Sequence, residues 1–261
     1  MSLRSRSAAT FAAAALIIPA FAGLAAVTSA GAANAATPSC GGSCIDVFSH
    51  QFGTFADPSF VMDSFKQGDV AGTPVILFRT SNSDPAEDFT VDEEGLVSRF
   101  YALGLVSPQL ALFYGCTYTV LATTIPCTGF DGTGYDFEAY EFMYSPYGVQ
   151  TGLCTGVAST AVAGEHVTLQ PCGVTSKTLW IAADVKDYDG HGVPTGLESF
   201  EQPLVNGSDT NFSQPFALAY GTSSYPTDTP RPPLYTENLL GFSDGEIGTN
   251  ELFSADTGVL P

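Results

Sequence analysis

The sequence predicts an all-β domain of short strands, closed as a barrel or stacked as a sandwich, and three observations carry that prediction. Beyond residue 36, Val, Thr, Phe and Tyr dominate, and the chain's 17 Pro and 27 Gly interrupt any window long enough for a 3.6-residue period. Short apolar runs recur between clusters of turn residues, which is the pattern of many brief strands. The same strand-and-turn pattern also returns along the chain as an internal repeat. With 261 residues, 44% hydrophobic and 12% aromatic, the chain can bury one real core, and wholesale disorder is excluded.

Residues 1–35 read as a secretory leader. Arg4 and Arg6 form a positive start, the apolar run Ala8–Ala26 follows, and Ala33-Asn34-Ala35 offers small residues for cleavage before Ala36. No later segment is apolar for long enough to span a bilayer, so the expectation is a secreted, extracellular protein free of the membrane. The formal net charge is -19, and losing the two leader arginines makes the chain more acidic still. The remaining cations, Lys66, Arg79, Arg99, Lys177, Lys186 and Arg231, are too scattered to form the basic stripe that a phosphate backbone requires, which excludes nucleic acid as a partner.

All six cysteines follow the leader, and an even number in an exported chain predicts disulfides. Each sequential pair flanks a turn-like stretch, which favours Cys40–Cys44, Cys116–Cys127 and Cys154–Cys172.

The apolar runs place strands at Cys44–Ser49, Phe60–Phe65, Pro74–Arg79, Phe89–Asp92, Leu96–Ala102, Gln109–Tyr114 and Tyr118–Ala122 in the first half. In the second half they fall at Ala139–Tyr144, His166–Gln170, Thr178–Ala182, Pro215–Tyr220, Pro233–Thr236 and Glu251–Ala255. No linker divides residues 36–261, so a single domain is expected.

Repeat-like units occupy about 45–92, 140–183 and 203–256. Val70-Ala71-Gly72 lies over Val162-Ala163-Gly164, after which Val75 and Leu77 match Val167 and Leu169, and Phe89 meets Trp180. In the third unit Leu234-Tyr235 stands for Leu77-Phe78, and Asn250-Glu251-Leu252-Phe253 closes it. The stretch from about Gly95 to Asp136 fits no copy and reads as an insertion or a diverged unit.

This unit resembles the QxW repeat of ricin B-chain-like lectins. The residues that carry the resemblance are Cys154 and Cys172, the Gly164–Leu169 turn and strand, and the closing Thr178-Leu179-Trp180, with Glu87-Asp88-Phe89 and Glu251-Leu252-Phe253 as degenerate forms. The resemblance implies a β-trefoil whose copies each contribute one buried aromatic to a barrel. It also implies a non-catalytic binding protein, a monomer, with sugar sites made of an early Asp, a stacking aromatic and an Asn-Gln pair. The first copy offers Asp63 and Phe78, with Ala86-Glu87 in place of Asn-Gln. The second has Gly156 or Thr155, Gln170 and Lys177 at those places, which removes the sugar chemistry. The third has Tyr235 and Asn250, with Glu251 for Gln and no aligned Asp. The expected partner is an extracellular glycan, or else a protein held by loops of the same scaffold, as in an enzyme inhibitor, with the Tyr220–Arg231 loop as the contact.

A separate signal runs from Asp187 to Glu198. Asp187, Asp189, Thr195 and Glu198 fall at positions 1, 3, 9 and 12 of a calcium-type loop, with His191 and Gly192 between. Imidazole suits calcium poorly and no flanking helices are visible, so calcium is a conditional expectation and no other cofactor is implied. The three histidines, His50, His166 and His191, are joined by no nucleophile elbow, zinc-protease motif, phosphate loop or dinucleotide fingerprint, so catalysis is not expected.

Overall fold

The computed structural model describes residues 44–49, 51–52, 59–81, 83–114, 116, 138–182, 203–211, 215–221, 233–238 and 249–256. The expected leader at 1–35, the calcium-type loop expected at 187–198, most of the expected contact loop at 220–231 and the strand expected at 118–122 lie outside them.

The twelve strands among the described residues fall into three sets of four. The first set is β1 (Asp46–Ser49), β2 (Phe60–Ser64), β3 (Val75–Arg79) and β4 (Phe89–Leu96). The second is β5 (Glu138–Tyr144), β6 (Leu153–Val157), β7 (Val167–Pro171) and β8 (Leu179–Ala182). The third is β9 (Leu204–Asn206), β10 (Phe216–Ala219), β11 (Tyr235–Asn238) and β12 (Phe253–Asp256). In every set the middle two strands form an antiparallel hairpin. The outer strands line a barrel wall in which β12 joins β1, β4 joins β5, β5 joins β8 and β8 joins β9, while Ile45 bridges Phe89 to connect β1 with β4.

The three hairpins meet at one end in a cyclic arrangement. Pro74 bridges Thr168, His166 bridges Tyr235, and Pro233 bridges Ile76, so the residue at the entry to each hairpin's second strand meets the second strand of another hairpin. The Leu234 N–H donates to the Val75 carbonyl at 2.8 Å, and the Val167 N–H donates to the Leu234 carbonyl at 2.8 Å. Val75, Val167 and Leu234 are completely buried around this pseudo-threefold axis. The strand count, pairings and cyclic bridges make the fold an all-β, β-trefoil-like barrel.

The core follows from strand alternation, in which residues two apart share a face. Phe60, Met62, Val75 and Leu77 point inward from the first hairpin, joined by Phe89, Trp180 and Phe253 from the closing strand of each copy. Trp180 satisfies its indole N–H by donating to the carbonyl and the hydroxyl of Thr155, at 3.1 Å each, as a buried indole requires. Cys154 and Cys172 form a disulfide across β6 and β7. Cys44 and Cys116 are also disulfide-bonded, and their expected partners, Cys40 and Cys127, lie outside the described residues.

The segment after β4 is an insertion, and it corrects the prediction of strands at Leu96–Ala102 and Gln109–Tyr114 as well as the expected lack of helices. It forms two short helices, α1 (Val97–Ala102) and α2 (Pro108–Phe113). Ser107 caps α2 by accepting the Leu110 N–H at 3.0 Å, with Pro108 at the first helical position, and Gly104 at φ 74° follows α1. Val97, Phe100, Leu110 and Tyr114 pack over Leu179, Ile181, Val205 and Ala217 on the outside of the wall. β8 is therefore buried on both faces, Trp180 facing in and Ile181 facing out.

The third repeat is also corrected. Since Pro233 takes the place of Pro74 and His166, Leu234 corresponds to Val75 and Val167, and Tyr235 corresponds to Ile76 and Thr168. The expected match of Tyr235 to Phe78 is two residues out; the residue equivalent to Phe78 and Gln170 is Glu237. A two-residue shift keeps every side chain on its original face, so alternation in the sequence cannot detect it. Two strands absent from the prediction, β6 and β9, have short or Gly-containing sequences with weak apolar alternation.

Candidate functional site

On the first hairpin Asp63 pairs with Ile76 and Val61 with Phe78, so Asp63 and Phe78 share the face turned away from the barrel core. Their diagonal relation puts them within reach of a common ligand across neighbouring strands. Asp63, however, is 2% exposed, whereas Phe78 is half-buried.

Asp63 is buried against other acids. One carboxylate oxygen each from Asp63, Asp84 and Glu87 lie within 4.8 Å of one another. Asp84 caps the 3-10 turn Pro85–Glu87: its Oδ1 accepts the Ala86 N–H at 3.0 Å and the Gln67 side-chain amide at 3.1 Å. Glu87 is buried, its Oε2 accepts the Ser81 N–H at 2.9 Å, and its Oε1 has no hydrogen-bond partner. Burial pushes the Glu87 carboxyl up to about 9, aided by the charges of Asp46, Asp63 and Asp84 and opposed by the Ser81 N–H. The Tyr144 phenol is raised by burial and then by Asp63 and Asp84, so it belongs to the same neighbourhood.

The rim of this cluster carries backbone that ordinary residues rarely adopt. Lys66 and Gln67 have φ of 57° and 56°, and Tyr147, whose N–H donates to Asp88 Oδ2 at 2.8 Å, has φ of 55°. All three are exposed or nearly so, and Tyr147 shows 69% of its surface. Such left-handed conformations are costly in non-glycine residues and cluster at ligand sites. Asp46, Gln67, Asp84, Tyr144 and Tyr147 belong to no motif that sequence reasoning picks out. The only signal is Asp84-Pro85, a capping residue before a first-turn proline.

The other two copies lack the pair. The threefold correspondence puts Gly156 and Ala219 at the place of Asp63, and Gln170 and Glu237 at the place of Phe78. A side chain at Gly156 would meet the Lys177 carbonyl at 2.7 Å, so the second copy has no room for a carboxylate there. In the third copy Tyr235 lies against Gly221, and its hydroxyl donates to Glu237 Oε2 at 3.1 Å. Burial, that bond and the charges of Glu237 and Glu251 push the phenol up to about 12. Asn250 is half-buried, and its carbonyl accepts the Tyr220 N–H at 3.1 Å. Tyr235 and Asn250 thus stand in one copy, with no carboxylate at the Asp63 position. His166 makes the backbone bridge to Tyr235. Among the described residues no helix is long and apolar enough to cross a membrane.

No protein-family model matches the chain, and no curated protein matches it. Among solved structures it is similar to the crystal structure of a designed 3-fold symmetric protein, ThreeFoil, at 10% identity and a TM-score of 0.45, over 82% of this chain and 97% of that one.

Proposed function

We propose that this is a secreted, non-catalytic glycan-binding protein whose sugar site lies on the first copy, around Phe78 and the Asp63–Asp84 carboxyls. One observation carries the reading: of three equivalent positions on the trefoil-like frame, only the first copy has both a carboxylate and an aromatic on one outward face. An aromatic face beside fixed hydrogen-bond acceptors is what a sugar ring requires, and it binds without covalent chemistry. Asp63 is buried, so Asp84 and the exposed Gln67 amide are the polar groups at the rim, with Asp63 behind them.

The test is a glycan array probed with the oxidised protein and its Phe78→Ala variant. Retention should fall at least about tenfold in the variant, the loss of a stacked ring, with the far-UV spectrum unchanged. Equal retention by both proteins would move the site elsewhere. A wild type that holds no glycan would leave the protein-partner reading, which one observation favours: the equivalent hairpin-turn residues Val70 and Val162 are 63% and 49% exposed.

A further inference from the structure

We propose that Asp63, Asp84 and Glu87 form a binding site for one hard divalent cation, Ca2+, between β2 and the 3-10 turn Pro85–Glu87. Two observations carry it. The first is convergence: three carboxylate oxygens lie within 4.8 Å of one another, contributed by a strand and a turn that are separated in sequence by the whole of β3. Calcium bonds of about 2.3–2.6 Å allow ligands on opposite sides of the ion to stand about 4.6–5.2 Å apart, so these oxygens fit one coordination sphere.

The second is an oxygen with nothing to bond. Glu87 is 2% exposed, its Oε1 has no hydrogen-bond partner, and its carboxyl points into the cluster. A buried polar oxygen left unsatisfied is costly, and the charges that act on Glu87 from Asp46, Asp63 and Asp84 are acidic. The second copy resolves the same position differently. There Thr178 stands at the place of Glu87 and gives its hydroxyl to Glu141, so that copy needs no cation. In the first copy a cation would satisfy Oε1 and cancel the repulsion, drawing its remaining ligands from water. The bonds that Asp84 already makes both fall on Oδ1, and Glu87 keeps its Ser81 bond through Oε2, so neither scaffold contact need break. The cation site shares Asp63 and Asp84 with the proposed sugar site, but it does not rest on the glycan reading, since it is tested with no sugar present.

The experiment is calcium titration of the full oxidised chain by calorimetry, with CaCl2 as the only ligand, for wild type, Glu87→Gln and Asp84→Asn. The expected result is saturable binding at millimolar calcium or tighter, one equivalent of which is weakened at least about tenfold in both variants, as losing a charged ligand predicts. Asp84 is half-buried, so its variant keeps the test valid if Glu87→Gln fails to fold. Wild type that binds no calcium, or a folded variant that retains every equivalent at unchanged affinity, overturns the proposal. A glycan array run with and without EDTA reads the sugar site separately.

Discussion

The Thr178 hydroxyl donates to Glu141 Oε1 in the second copy, and the same carboxylate accepts the Val174 N–H at 3.0 Å through Oε2. Glu141 is completely buried, so both of its oxygens are satisfied by the protein. The equivalent positions of the first copy hold Asp46 and Glu87, two acids in place of an acid and a hydroxyl. The copies share a backbone and differ in how they handle a buried carboxyl.

Removing the Thr178 hydroxyl should therefore hurt more than a lost surface bond. Thr178→Val keeps the shape and strands Glu141 Oε1, and we expect a loss of about 1–3 kcal/mol, read as a lower urea midpoint at unchanged slope. A midpoint within error of wild type would mean that water replaces the hydroxyl.

Two glycines separate backbone strain from crowding. Gly164 has φ of +80°, and a Cβ there would meet nothing within 4 Å, so Gly164→Ala should cost about 1 kcal/mol from conformation alone. Gly156→Ala must push on the Lys177 carbonyl and the Thr178 backbone, and should cost more. Thermal melts that reverse this order would contradict the packing described for β6 against the Lys177–Thr178 turn.

Burial raises the Asp209 carboxyl from 3.8 to about 6, against the pull of the N–H groups of Asn211, Phe216 and Thr210. The folded state therefore holds this proton more tightly than the unfolded chain does. Its contribution to stability is complete below about pH 4 and is lost as pH rises through about 6. Chemical denaturation across that window should show a falling component that Asp209→Asn removes; an identical pH profile in the variant would assign the slope to other groups.

The Cys154–Cys172 bond closes a loop with a sequence separation of 18. Replacing both cysteines with Ala should cost about 3 kcal/mol through the freed unfolded chain, measured as a drop in thermal midpoint. Stability that does not change would indicate that the β6–β7 ladder restrains the unfolded state by itself.

Elements whose cause is local are legible in the chain without its fold. Gly72 and Gly164 mark the hairpin turns because both need positive φ, at 89° and 80°. Period-two alternation sends Val75, Leu77, Val167 and Leu169 into one core, and the Cys154–Cys172 pairing follows from a turn between two cysteines. Ser107-Pro108 and Gly104 are helix-boundary signals too, but the apolar residues of 97–113 read equally well as strands, since short runs cannot separate the two periods.

What depends on contacts between copies is not legible there, because it arises only when the barrel closes. The third-copy register needs the bridges Pro74 to Thr168, His166 to Tyr235 and Pro233 to Ile76, because a shift of two leaves the face pattern intact. The meeting of Asp63 with Asp84 and Glu87 likewise requires the return of the chain across β3, and no spacing in the sequence encodes a distance through space. The periodicity of the chain sets which residues face inward, and the closure of three hairpins on one axis sets which of them meet.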